Sequence, residues 1–110
     1  MLHLRISTHP LHRLSDRRVK QIIHLTTEHL ECQEDGIIIE VNHQLFLTQH
    51  ILVEVRMVGK NNYGVKVLDN LYAAIAQNLC DATEASVWIT ETQSNLRATR
   101  FFECKQTEDA

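Results

Sequence analysis

Apolar and polar residues alternate at the start of the chain, with Leu2, Leu4 and Ile6 set against His3, Arg5 and Ser7. That is the period of a strand with two unlike faces. The same period returns at Ile51, Val53, Val55 and Met57. Each alternating stretch is followed by apolar residues at helical spacing, Val19, Ile22, Ile23, Thr26 and Leu30 in the first case and Val65, Leu68, Leu71, Tyr72, Ile75 and Leu79 in the second. Each helical stretch leads into a short apolar run, over 37–41 and 87–92. A strand, a helix and a strand with no other connection form a parallel crossover, because parallel neighbours cannot be joined by a tight turn. Sliding residues 2–41 along the chain without a gap, so that Leu2 meets Ile51, also brings Leu4 and Ile6 onto Val53 and Val55. The same shift sets Val19, Ile22, Ile23, Thr26 and Leu30 on Leu68, Leu71, Tyr72, Ile75 and Leu79, and Ile38 on Val87. Identity is almost nil, so what repeats is hydrophobic phase, which decides the face each side chain occupies. The pattern predicts a single domain, 1–110, built from two βαβ pseudo-repeats at about 1–46 and 50–104.

The punctuation of the chain refines this reading. His9-Pro10-Leu11 ends the first strand, and Ser15 is placed to cap a helix running from 16 to 30 or 32, with Asp16 at the positive end of its dipole. Glu34-Asp35-Gly36 closes that helix, the glycine serving a left-handed turn. The stretch 42–49 joins the two units, polar except for Leu45-Phe46-Leu47, which is expected to dock locally. Asn61 or Asn62 is expected to cap the second helix, and 81–84 to turn the chain into its second strand. Gln93-Ser94-Asn95 then links to a final strand over 98–104, followed by a polar tail at 105–110 expected to fray.

Four main strands and two helices predict an α+β fold with one four-stranded mixed sheet and both helices on one face, ferredoxin-like in topology. The opposite face would carry His3, Arg5, Ile38, Glu40, Leu52, Glu54, Arg56, Trp88 and Thr90. It is too apolar for plain solvent surface and too charged for an ordinary core, which suits a subunit interface with paired charges. A homo-oligomer is therefore expected. The alternative is a solvated sheet face on which Trp88 is a lone exposed aromatic.

Composition narrows the function classes. A formal charge of −3 and a pI near 6.1 argue against a nucleic-acid binder that works through a basic footprint. Arg17, Arg18 and Lys20 form the densest basic run, read as a solvated first helical turn. No apolar run is long enough to span a bilayer and the start lacks a secretory pattern, so a cytoplasmic address without membrane contact is expected. Cys32, Cys80 and Cys104 include no CxxC pair, and an odd count in such a chain predicts reduced thiols.

Local likeness then adds to the pattern. The run Ala73-Ala74-Ile75-Ala76-Gln77-Asn78-Leu79-Cys80-Asp81-Ala82, followed by Ala85-Ser86-Val87-Trp88-Ile89-Thr90-Glu91-Thr92, is similar to the helix end and second strand of an oxalocrotonate tautomerase subunit. The opening Leu2-His3-Leu4-Arg5 resembles the Pro-His-Leu-Arg start of small bacterial proteins of the same superfamily. With the duplicated βαβ pattern, the chain resembles the tautomerase superfamily, which includes macrophage migration inhibitory factor. The resemblance implies a homotrimer whose sheets line the inside and a pocket at the start of the first strand. There an N-terminal proline acts as the base that moves a proton between carbon and oxygen of a keto acid. This chain departs from that pattern, since Leu2 stands where the proline would be and Met1 is expected to be retained, its amine displaced by one residue. Ile39 and Trp88 occupy places where a pocket arginine would be sought. The candidates that remain are the Met1 amine as base and His3, Arg13, Trp88, Arg97 and Arg100 as groups around a planar keto or enol acid. Proline-dependent isomerase activity is expected to be lost.

Other chemistry is thin. His9 and His12 have an H-x-x-H spacing without a third ligand in fixed relation, and His24 and His29 lie five apart, which separates them on a helix. No metal or other cofactor is expected. Cys80 lies near a helix end beside Asp81, where dipole and carboxylate disfavour a thiolate, and reads as a buried small hydrophobe. Gly59 and Gly64 are turn glycines, since no Lys-Ser/Thr follows to hold a phosphate. Two classes stay open: an enzyme or enzyme relic for small enolisable keto acids, and a non-catalytic oligomeric ligand-binding or regulatory domain.

Overall fold

The structure, a computed structural model, describes residues 2–44, 50–57, 63–93 and 96–104; at 93 and 96–98 the backbone is described. Strand β1 (Leu2–Thr8), helix α1 (Asp16–Leu30) and strand β2 (Ile37–His43) form the first unit. Strand β3 (His50–Met57), helix α2 (Val65–Thr83) and strand β4 (Ser86–Gln93) form the second, and β5 (Leu96–Phe102) follows. The fold is α+β. One mixed sheet has the order β2-β1-β3-β4-β5, so the sheet has five strands where the hydrophobic pattern stressed four.

Each crossover is parallel, β1 with β2 and β3 with β4, and the two units meet antiparallel through their first strands. The hydrophobic phase explains why. Leu2, Leu4 and Ile6 of β1 and Ile51, Val53, Val55 and Met57 of β3 all point to the helix side, where they join Val87 and Ile89 of β4 in the core. The helices supply Ile22 and Leu30 from α1 and Leu68, Leu71, Tyr72, Ile75, Ala76 and Leu79 from α2. Pairing the two first strands makes one continuous apolar face from two short ones. Among the described residues, no helix is long and apolar enough to cross a membrane.

The ungapped shift that overlays the repeats also overlays their boundaries. Asp16 meets Val65 and Ile37 meets Ser86, so both helices and both closing strands begin at equivalent positions. The connections between them differ. α1 has 15 residues and is followed by a 3-10 turn at Glu34–Gly36, whereas α2 has 19 and runs almost directly into β4. What the first unit uses as a turn, the second uses as one more turn of helix, about 3.6 residues.

Several details of the sequence reading change. Ser15 caps α1 as expected, accepting from the Arg18 amide. The left-handed residue that ends α1 is Glu31, not Gly36, and Glu84 plays the same part for α2. Its helix therefore continues through 81–83, where a turn was expected. Asn61 and Asn62 lie outside the described residues, as do Leu45-Phe46-Leu47, Gly59, Ser94, Asn95 and the tail 105–110. Gly64 occupies the N-cap of α2 and Val65 is its first residue. Val65 is consequently 70% exposed rather than part of the core stripe, because a side chain in the first turn leans beyond the helix start. Asn42 and His43, expected in the join, extend β2, and the Thr8 and His43 side chains meet at 3.4 Å.

The cysteines overturn the expectation of reduced thiols. Cys80 and Cys104 form a disulfide, their Cα atoms 5.6 Å apart, and Cys32 remains free. Cys80 is neither a lone thiol nor a buried hydrophobe. It lies in the additional turn of α2, and that turn carries it to the end of β5. Spacing along the chain could not show this, because the contact depends on where β5 lies against α2. A loop closed across 24 residues stabilises by roughly 3 kcal/mol through the unfolded state. Cys104→Ser is expected to lower the unfolding free energy by about that amount in oxidising buffer and to match the unsubstituted protein in excess reductant. Equal stability under oxidising conditions would overturn the bond.

Candidate functional site

Polar chemistry gathers where β1 opens, and the register explains how. Leu2 pairs with Ile37 and Met57, so this end of the sheet holds the starts of β1 and β2 and the finish of β3. One residue on, His3 lies between Ile38 and Arg56 on the face away from the helices. The next row on that face sets Arg5 between Glu40 and Glu54. The face predicted from alternation is the face observed.

Its charges are not equivalent. Arg5 donates from Nε to Glu40 Oε2 at 2.7 Å, and this hydrogen bond and charge hold its guanidinium more firmly protonated than usual. The pair lies within one chain, so Arg5 and Glu40 do not await partners. His3 Nε2 is 3.8 Å from the same carboxylate oxygen. Arg56, exposed and registered beside His3, has no ion-pair partner among the described residues. Farther along the face the character becomes apolar. Leu52 pairs with Trp88 and Trp88 with Phe101. The Trp88 and Phe101 rings are 4.5 Å apart, and His50 meets Phe101 edge-on at 6.4 Å. Trp88 is 39% exposed and Phe101 47%.

A second polar group lies on the helix side of β4 and β5. Glu91 shares the inward phase of Val87 and Ile89, and Arg100 is registered with Ile89. Arg100 contacts Asp69 Oδ1 through Nε at 2.8 Å and Glu91 Oε2 through Nη1 at 3.3 Å, with its guanidinium carbon 5.0 Å from the centre of the Tyr72 ring. The Tyr72 hydroxyl donates to Glu91 Oε2 at 2.7 Å. Burial first, then the hydrogen bond and negative charge of Glu91, raise the Tyr72 phenol far above its ordinary range, against the opposing charge of Arg100. The network satisfies a carboxylate that would otherwise be unpaired beside the core.

The expected site residues therefore disperse within one chain. Met1 lies outside the described residues. His3 stands at the open end of β1. Trp88 is four residues along and two strands across from it, roughly 16 Å by ordinary strand spacings. Arg13 follows a 3-10 turn at Pro10–His12, beyond the far end of β1, and is exposed. Arg97 is registered with Thr92, at the same end of the sheet as His3. Arg100 is on the opposite side of the sheet and already held by two carboxylates. The residue that the sequence pattern places only among interface charges is Arg56, which lies beside His3 with no ion-pair partner among the described residues. Helical spacing places Tyr72 only in the core, although Glu91 on the inward phase signals a need for a buried donor. Among the described residues no group of three histidine, cysteine, aspartate or glutamate side chains converges to hold a metal. The His9 and His12 rings are 6.2 Å apart and edge-on, and His24 pairs with Glu28 at 2.9 Å.

The raised Tyr72 phenol makes a pH signature. An acid whose folded pKa exceeds its unfolded value of about 10 contributes stability that is complete below that value and is lost as pH rises above it. Stability is expected to fall above about pH 10 more steeply than in Tyr72→Phe, measured by denaturant titration at pH 8 and pH 11. Parallel curves for the two proteins would remove Tyr72 as the cause.

No protein-family model matches the chain, and no curated protein matches it. Solved structures do. N1, a member of the cis-3-chloroacrylic acid dehalogenase family, superposes with a TM-score of 0.59 at 13% identity, covering 82% of this chain and 74% of that one. The wild-type asymmetric trimer of F6 fused 4-OT gives 0.59 at 11%, covering 82% and 85%. Pt0534 inactivated by 2-oxo-3-pentynoate gives 0.59 at 11%, covering 93% and 95%. At these identities the likeness is one of fold. The chain has the fold of the tautomerase superfamily.

Proposed function

We propose that this protein is a divergent member of the tautomerase superfamily. In this reading it self-associates through the uncovered face of its sheet and binds a small enolisable keto or enol acid where β1 opens, without a proline base. One observation carries the reading. Of the arginines on β1, β3 and β5 whose side chains are described, Arg5 and Arg100 are neutralised within the chain, while Arg56 stands unengaged beside His3. A guanidinium so placed can take a carboxylate through two parallel hydrogen bonds. His3 can then contact the enol oxygen.

Leu2 favours binding without proline-type proton transfer, since the residue before His3 is an apolar side chain buried in the core. Arg13 and Trp88 lie too far from His3 to share a small ligand within one chain, so a role for them requires an adjoining subunit. A trimer fits this reading, and one neighbour by fold is itself described as an asymmetric trimer.

Titrating phenylpyruvate against the labelled protein is expected to perturb His3 and Arg56. Arg56→Ala should weaken binding about tenfold, or ~1.4 kcal/mol, and enolisation should stay at the buffer rate. Enzyme-like enolisation would overturn the loss of the base, and no saturable perturbation would overturn the ligand class. Self-association is tested separately. Sedimentation is expected to show a discrete oligomer, and Phe101→Glu, at an exposed position beside Trp88, should reduce it to monomers. A monomer before substitution would refute the interface.

A further inference from the structure

The basic run 17–20 has no part in the site at the sheet end, and the structure gives it a different setting. Arg17, Lys20, Gln21, His24 and Leu25 lie along one stripe of α1, facing Asn78 of α2 across a groove of about 580 Å³ on the helix side of the molecule. That volume is within the range of small-molecule sites, about 300–1,000 Å³. The walls are cross-linked. Arg18 donates from Nη1 to the Asn78 carbonyl at 3.3 Å, and Asn78 donates from Nδ2 to Gln21 Oε1 at 3.2 Å. These bonds fix the separation of the helices, so the groove exists before anything enters it.

The groove has a direction. His24, at one end, is paired with Glu28 at 2.9 Å. Arg17 and Lys20, at the other, have no ion-pair partner among the described residues, and no acidic side chain lines the groove. They also stand in the first turns of α1, the positive end of its dipole, where cations are unfavourable and an anion is favoured. Asp16, at the first position of α1, is the one acidic group among its first five residues, against three basic ones. On a chain of formal charge −3, this is a local concentration of positive charge beside an apolar wall, since Leu25 and the methylene stems of Arg17 and Lys20 supply the remaining surface.

We propose that the groove between α1 and α2 binds a small amphiphilic organic anion, with its charged head against Arg17 and Lys20 and its apolar body passing Asn78 along Leu25. This site is separate from the one where β1 opens and does not depend on the keto-acid reading. The probe is octanoate, followed by amide chemical shifts in the intact protein, with octan-1-ol as the uncharged counterpart and inorganic phosphate as the bare anion. Saturable shifts confined to residues 17–25 and the neighbourhood of Asn78 are expected. Binding should be at least tenfold weaker for octan-1-ol and for phosphate. Lys20→Glu, an exposed substitution whose fold is checked by thermal unfolding, should weaken octanoate at least tenfold and leave phenylpyruvate shifts at Arg56 unchanged. The proposal is overturned if octanoate does not saturate or if its shifts fall on the sheet face. It is also overturned if either control binds as tightly, or if Lys20→Glu, or Arg17→Glu in its place, binds octanoate unchanged.

Discussion

The antiparallel contact between β1 and β3 is the constraint on which the rest of the structure rests. Each βαβ unit alone offers one helix and two short strands, too little apolar surface to offset the ordering of its backbone. Pairing Leu4 with Val55 and Ile6 with Val53 merges two half-cores into one and brings α1 and α2 side by side over it. It also fixes the chemistry on the other side. Because side chains alternate, the register that buries Leu4 and Val55 must set His3 beside Arg56 and Arg5 beside Glu54. A slip of one residue would exchange core and charge across the whole sheet.

Most of this was legible in the chain because hydrophobic phase is a local quantity. The alternation at Leu2, Leu4 and Ile6 and the helical stripe from Leu68 to Leu79 needed no knowledge of neighbours, and the uncovered face followed from their complement. The illegible parts depend on contacts distant in sequence. The face of Arg100 turns on the register of β5 against β4, which is set across a short polar link where no apolar residue reports the parity. The joining of Cys80 to Cys104 required both that register and the additional turn of α2. Alternation puts Arg56 on the right face, but that it has no ion-pair partner among the described residues depends on Glu40 engaging Arg5 and on Asp69 and Glu91 engaging Arg100. The capping residues Glu31 and Glu84 went unforeseen for a different reason. Left-handed backbone favours glycine or asparagine, and a glutamate there is selected by where the helix must stop.

The two faces of the molecule thus carry different kinds of polarity. On the uncovered face the charges are arrayed in rows dictated by strand register, where Arg5 pairs with Glu40 while Glu54 and Arg56 form no ion pair among the described residues. On the helix side the ionic groups either anchor structure, as Arg100 does between Asp69 and Glu91, or line the seam between helices, as Arg17 and Lys20 do. Two separate polar surfaces on so short a chain follow from the repeat itself, which places all its strands in one layer and both helices in another.

The bond between α2 and β5 has a consequence for how the molecule loosens. Residues 80 to 104 form a covalent ring that includes β4 and the strand beside it, so this margin of the sheet must open as one piece. The opposite margin has no such tie. β2 is an outermost strand, largely half-buried, held by β1 on one side and touching α1. Amide hydrogens there should therefore exchange with solvent through small local openings, while those of β4 wait for a far larger one. The two repeats share a pattern and a shape, but only the second is closed by a covalent bond.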